Sequence, residues 1–145
     1  MMIKVAQSDA DIQRCLPAML ALRMHLNPEQ AFDKIRSQQI TDGFVLAFVD
    51  VGNPDELAPA VIGYRFLNLL YSGKTLYIDD LSTLSDARGK GYAGALLDFV
   101  IDQARQEGCQ CVSLDSGQNP ARYAAHRLYL NKGFNITSHH FMLNL

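Results

Sequence analysis

A glycine-rich loop between a strand and a long amphipathic helix constrains the fold of this 145-residue chain more than any other segment. The loop reads Arg88-Gly89-Lys90-Gly91-Tyr92-Ala93-Gly94. Beyond it, apolar residues recur at helical spacing as far as Ala104, and Gly108 suits the left-handed position after a helix end. Residues 110–115 then have the pattern of a further strand. Strand, helix and strand in succession predict a crossover after which the strands pair in parallel.

The segments before the loop predict two helices followed by an antiparallel meander of three strands. The predicted strands are rich in β-branched and aromatic residues, and they cover residues 44–51, 60–70 and 75–84, after a short strand at 3–6. Ser8, with Asp11 three residues later, marks the first helix start, and Asn27 before Pro28 marks the second.

The segments after residue 115 predict one more helix and one more strand. Asn119 and Pro120 open the helix, Gly133 ends it, and residues 135–143 form the strand. We therefore expect an α/β fold whose mixed sheet is antiparallel first and locally parallel later, with helices on both faces.

Composition indicates one globular domain over residues 1–145, because 48% of the residues are hydrophobic and 19% are charged. The formal net charge of −2 predicts no nucleic-acid partner and no anionic membrane partner. The sequence has no apolar run long enough for a membrane helix and no signal-peptide pattern, so we expect a cytoplasmic protein. Cys15, Cys109 and Cys111 are expected to be reduced and mostly buried thiols.

The loop carries the clearest chemical signal. Glycines let the backbone approach a ligand, amides at a helix start lack partners, and Arg88 and Lys90 add positive charge, which together favour a phosphate or pyrophosphate. A plain strand-to-helix turn is the alternative. Residues 89–94 also fit G-x-G-x-x-G, but four residues separate the strand from Gly89, unlike in a dinucleotide-binding fold.

Two motifs carry a family resemblance. Residues 88–93 resemble the R-x-x-G-x-A signature of the GCN5-related N-acetyltransferases, and residues 125–134 resemble the A-x-x-L-Y-x-x-x-G-F of that family. The resemblance implies an acetyltransferase fold with acetyl-CoA as co-substrate. It also implies that the loop binds the pyrophosphate of acetyl-CoA. The residues concerned are Arg88, Gly89, Lys90, Gly91, Tyr92 and Ala93. Backbone amides near Leu81, Ser82 and Thr83 would align the pantetheine arm.

Candidate catalytic residues follow from the needs of acetyl transfer to an amine, which are a base, oxyanion stabilisation and a proton for the thiolate. Tyr129 corresponds to the tyrosine that serves the family as general acid. Strand alternation puts Asp79 and Asp80 on opposite faces, so one of them is expected to reach the substrate, and we favour Asp79. Asp115, after the next strand, is a third candidate.

His126 and Arg122 lie near the same helix stripe as Tyr129. His126 could transfer protons near neutrality or simply pack, and Arg122 could hold a substrate carboxylate or remain a surface charge. His139 and His140 suggest no metal site, because neighbouring strand residues point to opposite faces.

The resemblance predicts an N-acetyltransferase that acts on a primary amine of a small molecule or peptide. The alternative is a non-catalytic module that binds CoA as a signal. A nucleotide-binding oxidoreductase, which rests on the G-x-G-x-x-G match, is a third possibility. Because exposed strands in this fold often pair, we also expect a homodimer.

Overall fold

The computed structural model describes residues 2–145. Residues 2–113 form one compact unit, and Leu114–Leu145 forms a second. No helix among the described residues is long and apolar enough to cross a membrane.

The first unit begins with a strand and two helices, as predicted. β1 covers Met2–Val5 and α1 covers Asp9–Leu22, with the hydroxyl of Ser8 accepting from the N–H of Asp11. α2 covers Pro28–Thr41, and its capping box joins Asn27 and Gln30 reciprocally. Both helix starts therefore satisfy amides that a helix end leaves unpaired.

The meander and the long helix are also confirmed. The sheet continues with the strands β2 (Val45–Asp50), β3 (Ala60–Leu69), β4 (Gly73–Thr83) and β5 (Cys111–Leu114). The long helix α3 (Tyr92–Gln106) lies between β4 and β5 in the sequence. The strand order is β1-β2-β3-β4-β5, and the pairs from β1 to β4 are antiparallel. The N–H of Gln110, just before β5, donates to the carbonyl of Lys74 near the start of β4. The two neighbouring strands therefore start at the same end of the sheet and run in parallel.

Helices cover the two faces of this sheet. Along β2, Leu46 and Phe48 belong to the apolar cluster under α1 and α2. Ala47 and Val49, at the alternate positions of β2, point to the opposite face and are equally buried. The helix α3 packs on β2, β3 and β4. The mixed sheet with flanking helices matches the predicted fold class.

The three cysteines are free thiols, but only one of them is buried, whereas the sequence predicted that most would be. Cys15 is buried, and burial raises the pKa of its thiol to about 12. Cys109 and Cys111 are half-buried.

The second unit differs from the prediction in two places. The predicted helix divides into a 3-10 turn at Pro120–Arg122 and the helix α4, Tyr123–Asn131. The predicted strand at residues 135–143 is wrong, since residues 135–145 have no regular secondary structure. Strand propensity is realised only against a hydrogen-bonded partner, and this segment takes no part in the backbone hydrogen bonds of residues 2–145.

Candidate active site

The glycine-rich loop leads from β4 into α3. A 3-10 turn at Ser85–Ala87 follows β4, and Gly89 and Gly91 then have φ values of 78° and 80°. Both values lie in the left-handed region that favours glycine. Gly91 is the N-cap of α3 and no side chain caps this helix end, so the first amides of α3 lack a side-chain acceptor.

The space in front of these glycines is open. A Cβ atom added to Gly89 or Gly91 would meet no heavy atom within 4 Å. Arg88 and Lys90 are exposed beside them, and Tyr92 opens α3. Free amides, two cations and an unobstructed approach are the features that a phosphate-binding loop needs.

The same geometry argues against a dinucleotide-binding fold. There the first strand runs almost directly into the first glycine, and the sheet is mostly parallel. Here the turn at Ser85–Ala87 separates β4 from Gly89, and β1 to β4 are antiparallel. The G-x-G-x-x-G match of residues 89–94 is therefore a coincidence of spacing.

The last residues of β4 have one edge that β5 does not cover. β4 has 11 residues whereas β5 has 4, and the two strands begin side by side. β5 therefore ends before the level of Leu81, Ser82 and Thr83, whose other edge pairs with β3. Backbone groups on the uncovered edge are available to a ligand that lies along β4.

A register shift brings Asp79 and Asp80 into one charged cluster. Asp80 pairs with Gly63 of β3 and Ile78 pairs with Tyr64, so Asp79 has no partner in the register. Burial raises the pKa of Asp80, and the nearby charge of Asp79 raises it too. The prediction that the two carboxylates occupy separate environments is wrong, because the bulge breaks the alternation on which it rests.

Asp80 is the more buried of the two acids. Its side chain is 11% exposed, and its Oδ1 accepts a hydrogen bond of 2.6 Å from Nε of Arg23, at the end of α1. Burial raises the pKa of the carboxyl, while the Arg23 guanidinium acts in the opposite direction. A partly buried carboxylate with a raised pKa is suited to accept a proton.

Gly63 leaves the room that Asp80 occupies. A Cβ atom at Gly63 would lie 2.5 Å from Cζ of Phe44 and 3.0 Å from Oδ2 of Asp80. Any larger residue would displace the ring or the carboxylate. The Phe44 ring and the Asp80 carboxylate therefore both lie close to the backbone of Gly63.

The carboxylate of Asp79 forms a salt bridge with Arg65 rather than with Arg23. Nε of Arg65 lies 3.0 Å from Oδ1 and 3.1 Å from Oδ2 of Asp79, and Nη2 donates to Oδ2 at 2.6 Å. Nη2 of Arg65 also donates to Oε1 of Gln38 in α2 at 2.8 Å. Both carboxylate oxygens of Asp79 are therefore held by one guanidinium.

Sequence reasoning missed the basic members of this cluster. Arg65 could have been found from the hairpin register, since the short turn between β3 and β4 sets it opposite Tyr77, two residues from Asp79. Arg23 lies 57 residues from Asp80 in the chain, and no local pattern relates them.

The second unit holds Tyr129, on α4. Its ring centroid lies 6.0 Å from that of Phe134, and its carbonyl accepts from the Phe134 N–H at 3.1 Å. Burial raises the pKa of the phenol, and the charge of Arg122 lowers it. The hydroxyl of Tyr129 is therefore protonated at neutral pH.

The other predicted residues of this unit have defined neighbours. Nε2 of His126 lies 2.9 Å from Oγ of Ser116. Oδ1 of Asp115 lies 3.5 Å from Nδ1 of His140. Arg122 ends the 3-10 turn before α4 rather than lying within the helix. Among residues 2–145, no three His, Cys, Asp or Glu side chains are grouped as a metal site.

A comparison with protein families decides the assignment. The model of the acetyltransferase (GNAT) family matches residues 16–134. The chain belongs to the GNAT acetyltransferase family. The match extends well before the two sequence motifs, into α1.

Relatives and solved structures agree with this family. The uncharacterized N-acetyltransferase YhdJ of Bacillus subtilis is 45% identical over 73 residues, which are 50% of this chain and 50% of that protein. The ribosomal-protein-alanine N-acetyltransferase of Brucella melitensis has a TM-score of 0.80 at 16% identity, with 100% of both chains covered. A Clostridium acetobutylicum acetyltransferase solved with acetyl-CoA has a TM-score of 0.70 at 15% identity, covering 99% of this chain and 96% of that one. The structural likeness establishes the GNAT fold for this chain.

Proposed function

We propose that this GNAT-family protein transfers the acetyl group of acetyl-CoA to a primary amine of a small molecule or peptide. The observation that carries the proposal is the loop between β4 and α3. Gly89 and Gly91 have left-handed φ values, and a Cβ atom added to either would meet no heavy atom within 4 Å. The helix α3 begins without a side-chain cap. This arrangement suits the pyrophosphate of CoA.

The uncovered edge of β4 would extend the CoA site. The pantetheine arm has amide groups that can pair with a strand edge as a peptide does. Leu81, Ser82 and Thr83 supply such an edge beyond the end of β5. The acetyl-CoA present in the Clostridium acetobutylicum structure supports the same co-substrate here.

Asp80 is the group that we propose as the base. A primary ammonium group must lose one proton before its nitrogen can attack, and the nitrogen loses a second proton when the amide forms. Asp80 has a raised pKa and only Oδ1 is held by Arg23. Asp79, which we favoured from sequence, has both oxygens held by Arg65, so the geometry supports Asp80 instead.

Tyr129 is the proposed acid. When the amine nitrogen bonds to the carbonyl carbon, the carbon–sulfur bond breaks and the thiolate takes the phenolic proton. The raised pKa keeps the proton on Tyr129 until the thiolate forms. Arg122 lowers that pKa, so we propose that its charge stabilises the phenolate that remains. His126 and Asp115 have partners within their own unit and are given no step.

The free cysteines are consistent with a reducing compartment, so we propose that the reaction takes place in the cytoplasm.

Two measurements test the proposal in order. Adding CoA at millimolar concentration should raise the melting temperature, because a ligand that binds only the folded state stabilises it. Release of free thiol from acetyl-CoA should then be followed across a panel of amines. No melting shift would overturn the proposal. A shift without acetyl transfer to any amine would instead favour the non-catalytic CoA-binding module.

A further inference from the structure

The charged cluster beside β4 consists of Asp79, Asp80, Arg23 and Arg65, which two salt bridges join in pairs. The side chain of Asp80 is 11% exposed, those of Asp79 and Arg65 are 20% exposed, and that of Arg23 is 41% exposed. The two guanidinium groups balance the formal charges of the two carboxylates, so the cluster as a whole does not attract a cation. The most exposed charge of the cluster is the positive charge of Arg23.

The guanidinium of Arg23 is held in place and still has a donor for a ligand. Its Nε and Nη2 atoms both lie 2.6 Å from Oδ1 of Asp80, and Nη2 also donates to the carbonyl of Asp79 at 2.8 Å. Among residues 2–145, Nη1 takes part in no hydrogen bond. A fixed guanidinium with a free donor on its exposed side is suited to bind a carboxylate.

An amine that approaches Asp80 meets this positive charge beside the proposed base. Aliphatic amines are protonated in water at neutral pH. Two like charges a few ångström apart repel each other, so the Arg23 guanidinium opposes the approach of a simple ammonium group or a polyamine. A carboxylate on the same molecule would pair with the guanidinium and remove this repulsion.

We propose that the acetyl acceptor is a free α-amino acid, whose amine reaches the carboxylate of Asp80 while its own carboxylate binds Nη1 of Arg23. This inference rests on the proposed function and names the class of acceptor. Acetyl transfer then gives the N-acetylamino acid and the free thiol of CoA.

The short distance inside the ion pair restricts the acceptor further. Nε of Arg23 and Oδ1 of Asp80 are 2.6 Å apart, so the two groups that bind this pair must be neighbours in the acceptor. The amine and the carboxylate of an α-amino acid are attached to the same carbon atom. A peptide has an amide next to its terminal amine, and a polyamine has no anionic group. Asp80 also directly precedes Leu81, where the edge proposed for the pantetheine arm begins.

The first test compares free amino acids with close analogues that lack the carboxylate. Release of free thiol from acetyl-CoA is measured with each common amino acid, and then with the primary amide and the decarboxylated amine of the best one. The free amino acid should have a kcat/KM about 10- to 10²-fold above both analogues, the loss expected for one charged hydrogen-bonded contact. Equal or faster acetylation of the analogues, of spermidine or of a peptide N-terminus overturns the inference but leaves the acetyltransferase proposal intact. Acetylation of no amine at all contradicts both.

The second test assigns the preference to Arg23. Arg23→Gln should raise KM for the amino acid far more than for its amide, so that the ratio of the two kcat/KM values falls to within about threefold of one. The ratio is informative because any change in the pKa of Asp80 affects both acceptors alike. Arg23→Lys keeps the charge but not the planar donor group, and it should lower the ratio less. A ratio that is unchanged in both variants overturns the inference.

Arg36→Gln is the matched control for these variants. Arg36 lies in α2, its side chain is 31% exposed, and its Nε and Nη2 atoms donate to Oδ1 of Asp9 at 3.0 and 2.6 Å. The control therefore removes a similar arginine–aspartate pair outside the charged cluster. Arg36→Gln should keep the preference for the free amino acid, and its loss there would contradict the assignment to Arg23.

Discussion

Nε of Arg23 donates a 2.6 Å hydrogen bond to Oδ1 of Asp80, and so joins the end of α1 to the last third of β4. The Arg23 side chain is 41% exposed and the Asp80 side chain is 11% exposed. The guanidinium therefore lies on the solvent side of the carboxylate. Burial raises the pKa of Asp80, the acid that we propose as the base, and Arg23 at the end of α1 acts in the opposite direction.

Replacing Asp80 with Asn should lower kcat by about 10²-fold or more, because a carboxamide accepts no proton from the amine. Since burial raises the pKa of Asp80, the active carboxylate form increases as pH rises through that raised pKa. The wild-type rate should therefore have an acid limb above the ordinary range of an aspartate, and Asp80→Asn should lack it. The pH profile of kcat/KM measures this.

Asp79→Asn is the control for the base assignment. It removes the carboxylate that Arg65 holds but leaves Asp80 in place. We expect this variant to keep the acid limb of the pH profile. Loss of the limb in Asp79→Asn, with its survival in Asp80→Asn, would reverse the assignment.

Replacing Arg23 with Gln should move the acid limb of the rate profile to higher pH. Both the charge and the hydrogen bond of Arg23 oppose the burial that raises the pKa of Asp80, so their loss leaves burial unopposed. Arg23→Lys keeps a cation and should move the limb less. A purely structural role would lower stability in both variants without moving the limb. Melting curves recorded beside the pH profiles separate the two roles.

Replacing Tyr129 with Phe should lower the rate of acetyl transfer by about 10²-fold or more while CoA affinity changes little. The substitution keeps the ring that packs near Phe134 and deletes the hydroxyl. Single-turnover kinetics and CoA titration provide the two values. Full turnover in the variant, under conditions where chemistry limits the rate, would remove Tyr129 as the acid.

Replacing Gly91 with Val should abolish the CoA melting shift, because a β-branched side chain would occupy the open approach to the loop. The change also strains a residue whose φ is 80°. Gly108→Val is the matched control: its φ is 72°, it lies after the other end of α3, and a Cβ there also meets nothing within 4 Å. Both variants should lose stability by a similar amount, and only Gly108→Val should keep the CoA response.

The strand-to-loop-to-helix segment could be predicted because its determinants are local. Gly89, Gly91 and Gly108 adopt the left-handed φ values that glycine permits, and apolar spacing alone marks α3. Likewise Ser8 and Asn27 cap the helices that their positions predicted. Each of these features is decided by atoms within a few residues along the chain.

Asp79 and Asp80 show what the sequence by itself could not decide. Sequence determined that two acids stand near the end of β4, but alternation predicted separate environments for them. Only the pairing with β3 created the bulge, and only the docking of α1 placed Arg23 against Asp80 across 57 residues of chain. Long-range register and packing are set by the whole sheet and its helices, not by local propensity. Residues 135–145 show the same limit, because they have the pattern of a strand but form no regular secondary structure without a hydrogen-bonded partner strand.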